Sequence, residues 1–448
     1  NMNNMNNMNN IGPIDNRYSE VCDPISDYLS DFGMNKIRCE VEVKYFLLIL
    51  DQVLKVELTK DQIKFVEGIY KEFSEFDFIE IKNIEKKTNH DIKALEYFIK
   101  GKLKSNTHIS KYSEFVHFAL TSQDINSITN TVSINRCVNK VLLPNINTII
   151  QKLFALYNKW KNDYMMSRTH GQPAVTTSMG KEIMVFVNRL KIQYSKLLQI
   201  NYTTKIGGAV GNLNAHVFCY EDIDWEKLLN NFVYNNFGIQ RNEYTTQVDN
   251  YDNLCEVFDI IKRINTILLD MNQDMWLYIM QNYFKLKVNN NETGSSTMPH
   301  KVNPINFENS EGNIYLANSL LSMFSYKLPV SRLQRDLTDS TITRNIGVAF
   351  SYCLIAYNSV SKGIDKLELN KQIMNQELYS NYSILMEAVQ CIMKTEFIED
   401  SYEIIKQKCR GKEITKQDYL KIVKELPLSE ISKNKLIKFT PFNYVGIL

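Results

Sequence analysis

Proline is missing from most of this chain. None occurs between Ile25 and Leu143, between Ala174 and Met298, or between Val330 and Leu426. Because proline breaks helix interiors, gaps of this length permit long helices. Long apolar runs are missing too. None approaches the roughly 20 residues a membrane helix needs, so no membrane partner is expected. There is no excess of charge of one sign: 52 basic and 50 acidic residues leave a net charge of +2. That balance gives no electrostatic argument for binding nucleic acid. The eight cysteines (Cys22, Cys39, Cys137, Cys219, Cys255, Cys353, Cys391 and Cys409) contain no CxxC pair. A disulfide or zinc framework is therefore not expected, and structural thiols in a reduced, cytoplasmic protein are. The start of the chain shows no charged-then-apolar leader.

What remains is a chain of 448 residues, too long for one compact core and long enough for two or three domains. Residues 1–10, NMNNMNNMNN, are asparagine-rich and of low complexity, and are expected to be disordered. Leu254, Val257, Ile261, Ile264, Leu268, Met271, Met275 and Tyr278 alternate steps of three and four, a helical seam of about three heptads. Phe258, Ile260, Leu269 and Leu277 make its flanks apolar as well, as in a helix packed among other helices. Further helices are expected around Ile183–Leu197, Ile314–Phe324 and Asn345–Lys362, and alternating strand patterns are scarce. The reading is an all-α chain with a long central bundle. It divides into a tail (1–12), an N-terminal helical domain (13–112), a central long-helix domain (113–364) and a more polar C-terminal helical domain (365–448).

The densest chemistry lies in residues 293–312, TGSSTMPHKVNPINFENSEG. Gly294 can take backbone angles that other residues avoid, and Pro299 and Pro304 exclude a regular helix between them. Such a loop can present several N–H groups and a fixed cation to an anion. His170 stands in SRTHGQP, where the following glycine and proline place it at a turn. His90 stands in KTNHDIKALEYF; Asn89, His90 and Asp91 suit a helix N-terminus, as do Thr121, Ser122, Gln123 and Asp124. Gly207, Gly208 and Gly211 do not have dinucleotide-fingerprint spacing, and no Walker A sequence is present. Arg335 and Arg344, in SRLQRDLTDSTITRN, carry planar forks suited to carboxylate and phosphate.

The order GSSxMPxKxNP resembles the signature of the fumarase/aspartase superfamily, lyases that release fumarate. RTHGQP, TNHDxKAxEYF, the Thr-Ser of TSQD, Gln247 in YTTQ, the 331–345 segment and Asn16-Arg17-Tyr18 together resemble the bacterial-type adenylosuccinate lyases. The resemblance spans about residues 13–345, with looser agreement beyond. It implies β-elimination of fumarate from adenylosuccinate to leave AMP, and the same cleavage of the succinyl-carboxamide ribotide of purine biosynthesis. It implies Ser295 as general base, with Ser296 its rival, His170 as general acid, and Lys301 and His90 as catalytic partners. It also implies substrate contacts from Arg17, Tyr18, Asn89, His90, Asp91, Thr121, Ser122, Gln247, Ser296, Asn303, Arg335, Ser340 and Arg344. The implied assembly is a homotetramer with a twenty-helix core and active sites shared between chains. The implied chemistry needs no cofactor or metal.

The other readings are a different fumarate-releasing lyase, a non-catalytic structural protein on the same scaffold, and a serine hydrolase. Fumarases tend to carry MPGKVNP and argininosuccinate lyases MPQKKNP, whereas this chain has MPHKVNP. His300 and the RTHGQP segment favour the adenylosuccinate branch. Ser295, His170, Lys301 and Asn303 are all present, which disfavours the structural protein. No GxSxG elbow is present for a hydrolase.

Overall fold

The computed structural model describes residues 10–288, 297–298 and 300–448. It is mostly helical, and the longest helices are the expected ones. The seam residues form Asp252–Met280, and the other three segments form Met179–Leu198, Ile305–Lys327 and Ile346–Asp365. Each of these four lies in a proline-free gap or begins just after a proline, as the backbone chemistry requires. Every seam residue from Leu254 to Met275 is buried, and Tyr278 is half-buried. Phe258 packs edge-on or tilted against Phe324 of Ile305–Lys327 and Phe350 of Ile346–Asp365.

The chain forms two compact units. One gathers the described residues up to Asn147 with Gln193–Thr266 and Gly312–Asn358. The other gathers Thr148–Ile192, Ile267–Glu311 and Ser359–Leu448. The first contains a core built by Cys39, Val43 and Phe46 of helix Asp31–Leu48 and Leu50 of the π-helical turn after it, against Leu95, Phe98 and Ile99 of helix Asp91–Leu103. The second contains a core built by Leu378, Leu385, Val389, Met393, Tyr419 and Val423 of the C-terminal helices, into which Met166 is inserted.

Six short strands, in three two-stranded ladders, are added to the helices among the described residues. The largest is an antiparallel hairpin, Tyr164–Thr169 with Gln172–Ser178. All eight cysteines are free thiols. Among the described residues no helix is long and apolar enough to cross a membrane, and no group of His, Cys, Asp and Glu is arranged to hold a metal.

Candidate functional site

In the first unit, helix Ser122–Cys137 is the organising element. Almost every residue of its first three turns is buried, including Gln123, Asp124, Ser127, Thr129, Asn130 and Thr131. Buried polar groups require partners, and these reach several neighbouring segments. Gln123 Nε2 donates to Ser340 Oγ at 3.1 Å. Asn126 Oδ1 accepts from Arg38 Nε at 3.0 Å. The Ser127 and Thr204 hydroxyls lie 3.0 Å apart.

Gln247, Arg335 and Ser340 come together beside that helix. Arg335 donates to Gln247 Oε1 at 2.8 Å and to Ser340 Oγ at 3.4 Å. Gln247 Nε2 donates to the Ala209 carbonyl at 2.9 Å. Gly211 explains the close fit. It holds φ +86°, and a Cβ there would meet Thr245 O at 2.2 Å, two residues from Gln247. Ser340 sits in the short helix Thr338–Thr343, whose Asp339 accepts the Tyr251 hydroxyl at 2.8 Å. Arg344, at the end of that helix, is exposed.

Asn89, His90 and Asp91 occupy the junction of two helices. Asn89 ends Glu75–Thr88 in the left-handed conformation at φ 52°. His90 caps Asp91–Leu103, its Nδ1 accepting the Lys93 N–H at 3.1 Å. Asp91 faces Arg38 at 3.5 Å. Arg38 thus links the Asn-His-Asp turn to Asn126, one helical turn beyond Ser122. Thr121 caps the same helix, donating its N–H to Asp124 Oδ2 at 2.8 Å. Arg17 is exposed, its guanidinium 5.8 Å from the Tyr18 ring, and Tyr18 precedes helix Ser19–Leu29.

The sequence reading missed the centre of this region. Asp124 and Lys205 form an ion pair at 2.6 Å with no exposed side-chain surface on either. Asp124 also accepts the Gly207 N–H at 2.8 Å and the Gly208 N–H at 3.1 Å. Lys205 donates in turn to the Gly208 carbonyl at 2.7 Å. Burial draws the Lys205 pKa down, against the pull of Asp124. The three-glycine stretch is therefore a loop folded over a buried charge pair. A lone lysine before a glycine run gave no signal of that.

Two further histidines of this unit lie nearby. His216 is buried, its Nε2 3.1 Å from the Tyr45 hydroxyl, and burial pulls its pKa to about 4. His117 faces the buried Glu42 carboxylate at 2.5 Å.

In the second unit His170 stands at the tip of the hairpin. Thr169 pairs with Gln172, so His170 and Gly171 are the two turn residues, at φ 52° and 71°. Positive φ at both central positions is what a tight hairpin with the native twist requires. Histidine tolerates it better than most residues, and glycine supplies it freely. The ring is exposed. Lys301 is also exposed, its backbone N–H bonded to Met298 O at 3.2 Å. Asn303 is half-buried, and helix Ile305–Lys327 follows after Pro304. Ser295 and Ser296 lie outside the described residues.

This scaffold of long helices, with polar residues of widely separated segments gathered on it, belongs to a chain that the family comparisons class as a lyase. The lyase family model matches residues 17–315, and the adenylosuccinate lyase C-terminal model matches residues 331–445. The structure is similar to that of a fumarate lyase from Mesorhizobium sp. BNC1, with TM-score 0.74 and 15% identity over 95% of each chain. It is also similar to 3-carboxy-cis,cis-muconate lactonizing enzyme from Pseudomonas putida, with TM-score 0.73 and 17% identity over 94% of this chain and 93% of that one. At these identities the likeness shows the fold alone.

The sequence relatives go further. The adenylosuccinate lyase of Buchnera aphidicola subsp. Acyrthosiphon pisum is 46% identical over 97% of this chain and 96% of its own. That of Dictyostelium discoideum is 44% identical over 98% and 96%, and that of Escherichia coli K12 is 42% identical over 97% and 96%. The chain belongs to the adenylosuccinate lyase family, within the fumarase/aspartase superfamily.

Proposed function

We propose that this chain is a carbon–nitrogen lyase that eliminates fumarate from adenylosuccinate, leaving AMP, and that it cleaves the succinyl-carboxamide ribotide in the same way. What carries the reading is the end-to-end relation, at 42–46% identity, to enzymes named for that reaction. The geometry supports it through Arg335. Its guanidinium, steadied by Gln247 and Ser340, is a planar fork for a carboxylate or phosphate, and the substrate carries both.

The roles follow the family resemblance, and the chemistry accounts for the residue types. Ser295 takes the proton from the carbon beside a succinyl carboxylate, and Ser296 is its rival. The electron pair left behind places extra charge on that carboxylate, where pre-placed donors must meet it. Lys301 and Asn303 hold the succinyl carboxylates. The carbon–nitrogen bond then breaks, and His170 gives its proton to the leaving purine nitrogen as general acid. His90 either orients His170 or binds the phosphate side. Arg17, Tyr18, Asn89, Asp91, Thr121, Ser122, Gln247, Arg335, Ser340 and Arg344 complete the substrate contacts.

The working form is a cytoplasmic homotetramer with active sites shared between chains. Two observations support that assembly. Trp276, Leu277 and Met280 are exposed large apolar side chains on helix Asp252–Met280, and so are Tyr315 and Leu316 on Ile305–Lys327. His170, Lys301, Arg17 and Arg344 are exposed in the single chain, whereas an elimination through a carbanion requires water to be kept out.

The test is to incubate the purified chain with adenylosuccinate and follow AMP and fumarate together. Equimolar release that disappears in Ser295→Ala is expected. No release from the folded assembly, or release of fumarate from argininosuccinate or malate instead, would overturn the reading.

A further inference from the structure

The hairpin that carries His170 is fastened at two levels. Near its base, Met166 inserts into the C-terminal core and the Thr176 hydroxyl donates to Pro441 O at 2.6 Å. The register then slips between Met166 and Arg168, a bulge that re-aims the strand just before its tip. Past the bulge, Arg168 pairs across the ladder with Pro173, two residues from His170.

The Arg168 guanidinium is held in a closed ring of contacts. It binds one oxygen of Glu377, the other Glu377 oxygen accepts the Tyr283 hydroxyl, and Arg168 donates to that same Tyr283 oxygen at 3.2 Å. Both supports are themselves anchored. Tyr283 is buried, and its ring stacks on Tyr278 with centroids 6.1 Å apart and planes 5° apart. Glu377 lies in helix Lys371–Ser380, whose first residue grips Asp163, just before the hairpin, at 2.6 Å. The backbone N–H of Asn370 ties the start of that helix to Tyr283 O at 2.8 Å.

A two-stranded hairpin with an exposed two-residue turn has little packing of its own to fix its direction. We propose that Arg168, locked by Glu377 and Tyr283, is a positioning residue that sets where the hairpin tip presents His170. The proposal rests on the reading of His170 as the acid. Arg168 touches no reacting atom. Its effect passes through the two residues that separate it from the imidazole, so it governs the proton transfer and not the affinity for substrate.

The test compares steady-state kinetics of Arg168→Met, Glu377→Gln and His170→Ala in the full-length assembly. An approximately 1 Å displacement of a catalytic group costs on the order of 10²-fold in rate. Arg168→Met should therefore lower kcat by about that factor with KM within about twofold, and Glu377→Gln should do so more mildly. In a His170→Ala background Arg168→Met should cause no further loss, because both act on one step. An unchanged kcat in Arg168→Met, or an undiminished further loss in the His170→Ala background, would overturn the clamp. Near-normal turnover by His170→Ala itself would overturn the acid assignment instead, so the two failures are separable. Should Arg168→Met not fold, Glu377→Gln, which keeps the side-chain shape, is judged by the same criteria.

Discussion

The buried pair Asp124–Lys205 allows a quantitative prediction, because its two members are supported unequally. Asp124 keeps three N–H donors, from Thr121, Gly207 and Gly208, if the ammonium is removed. Lys205 keeps one acceptor, the Gly208 carbonyl, if the carboxylate is removed. Removing one member of a buried pair destabilises by about 3–5 kcal/mol. Lys205→Met should fall near the lower end, about 3 kcal/mol, since the three N–H groups still stabilise the carboxylate. Asp124→Asn keeps an oxygen for the glycine N–H groups but strands the ammonium.

That ammonium escapes by losing its proton, and burial already pulls its pKa down. From an ordinary lysine value of about 10.4 and 1.36 kcal/mol per unit, deprotonation costs about 4.6 kcal/mol at pH 7 and about 2 kcal/mol at pH 9. In Asp124→Asn the unfolded chain binds one proton more than the folded one, so its stability must rise with pH. Urea unfolding followed by circular dichroism at pH 7, 8 and 9 measures this. Measured against the wild-type chain at the same pH, Asp124→Asn should recover by between 2 and 3 kcal/mol, by the same arithmetic, while the deficit of Lys205→Met stays flat. A flat Asp124→Asn, or a Lys205→Met costing more than Asp124→Asn at pH 7, would refute the unequal-support argument.

Other outcomes follow from single contacts. Burial opposes a charge on His117, but the Glu42 carboxylate outweighs it and raises the ring's pKa. The pair's contribution is therefore complete below about pH 6.5, the unfolded value, and lost as pH rises through the folded one. Glu42→Gln should flatten that slope in urea midpoints taken from pH 6 to 8. Gly211→Ala places a Cβ against Thr245 O at a φ of +86°, a strain of about 1–3 kcal/mol, and should raise KM through displacement of Gln247. Leu268→Ala, fully buried in the central seam, should cost about 2–5 kcal/mol, read as a lower urea midpoint with KM unchanged.

The long helices were legible because their signal is one-dimensional. Proline gaps and the 3-4 spacing of Leu254 to Met275 are written along a single stretch of chain, and Asp252–Met280 follows from them. The turn at His170 was legible for the same reason, from Gly171 and Pro173 beside it. The strands that support it were not. YMMSRT does not alternate, since Met165 and Met166 are both buried and the ladder is bulged at Ser167. Ion pairs such as Asp124–Lys205 and Arg168–Glu377 join residues 81 and 209 positions apart, and no local pattern encodes them. A charged residue reads alike in solvent and in the core until its partner is known. Arg38 shows the same limit: it reads as an ordinary helix residue, and only the fold aligns it with both Asp91 and Asn126.

The exposure of the proposed catalytic groups bears on how many chains make one active site. An acid that must protonate a leaving nitrogen, and a cation that must meet a developing carboxylate charge, work best away from water, where electrostatic terms are larger. His170 and Lys301 are both solvent-exposed in one chain, while Gln247, Arg335 and Ser340 are half-buried. Were all the required groups supplied within one chain, Ser295→Ala and His170→Ala subunits would each be dead alone and remain dead when mixed. If sites are shared between chains, mixed assemblies contain some sites that draw an intact serine and an intact histidine from different subunits. Partial activity should then return after denaturation and co-refolding, in a fraction set by the mixing ratio. No recovery, with subunit exchange confirmed by native mass spectrometry, would place the whole site within one chain.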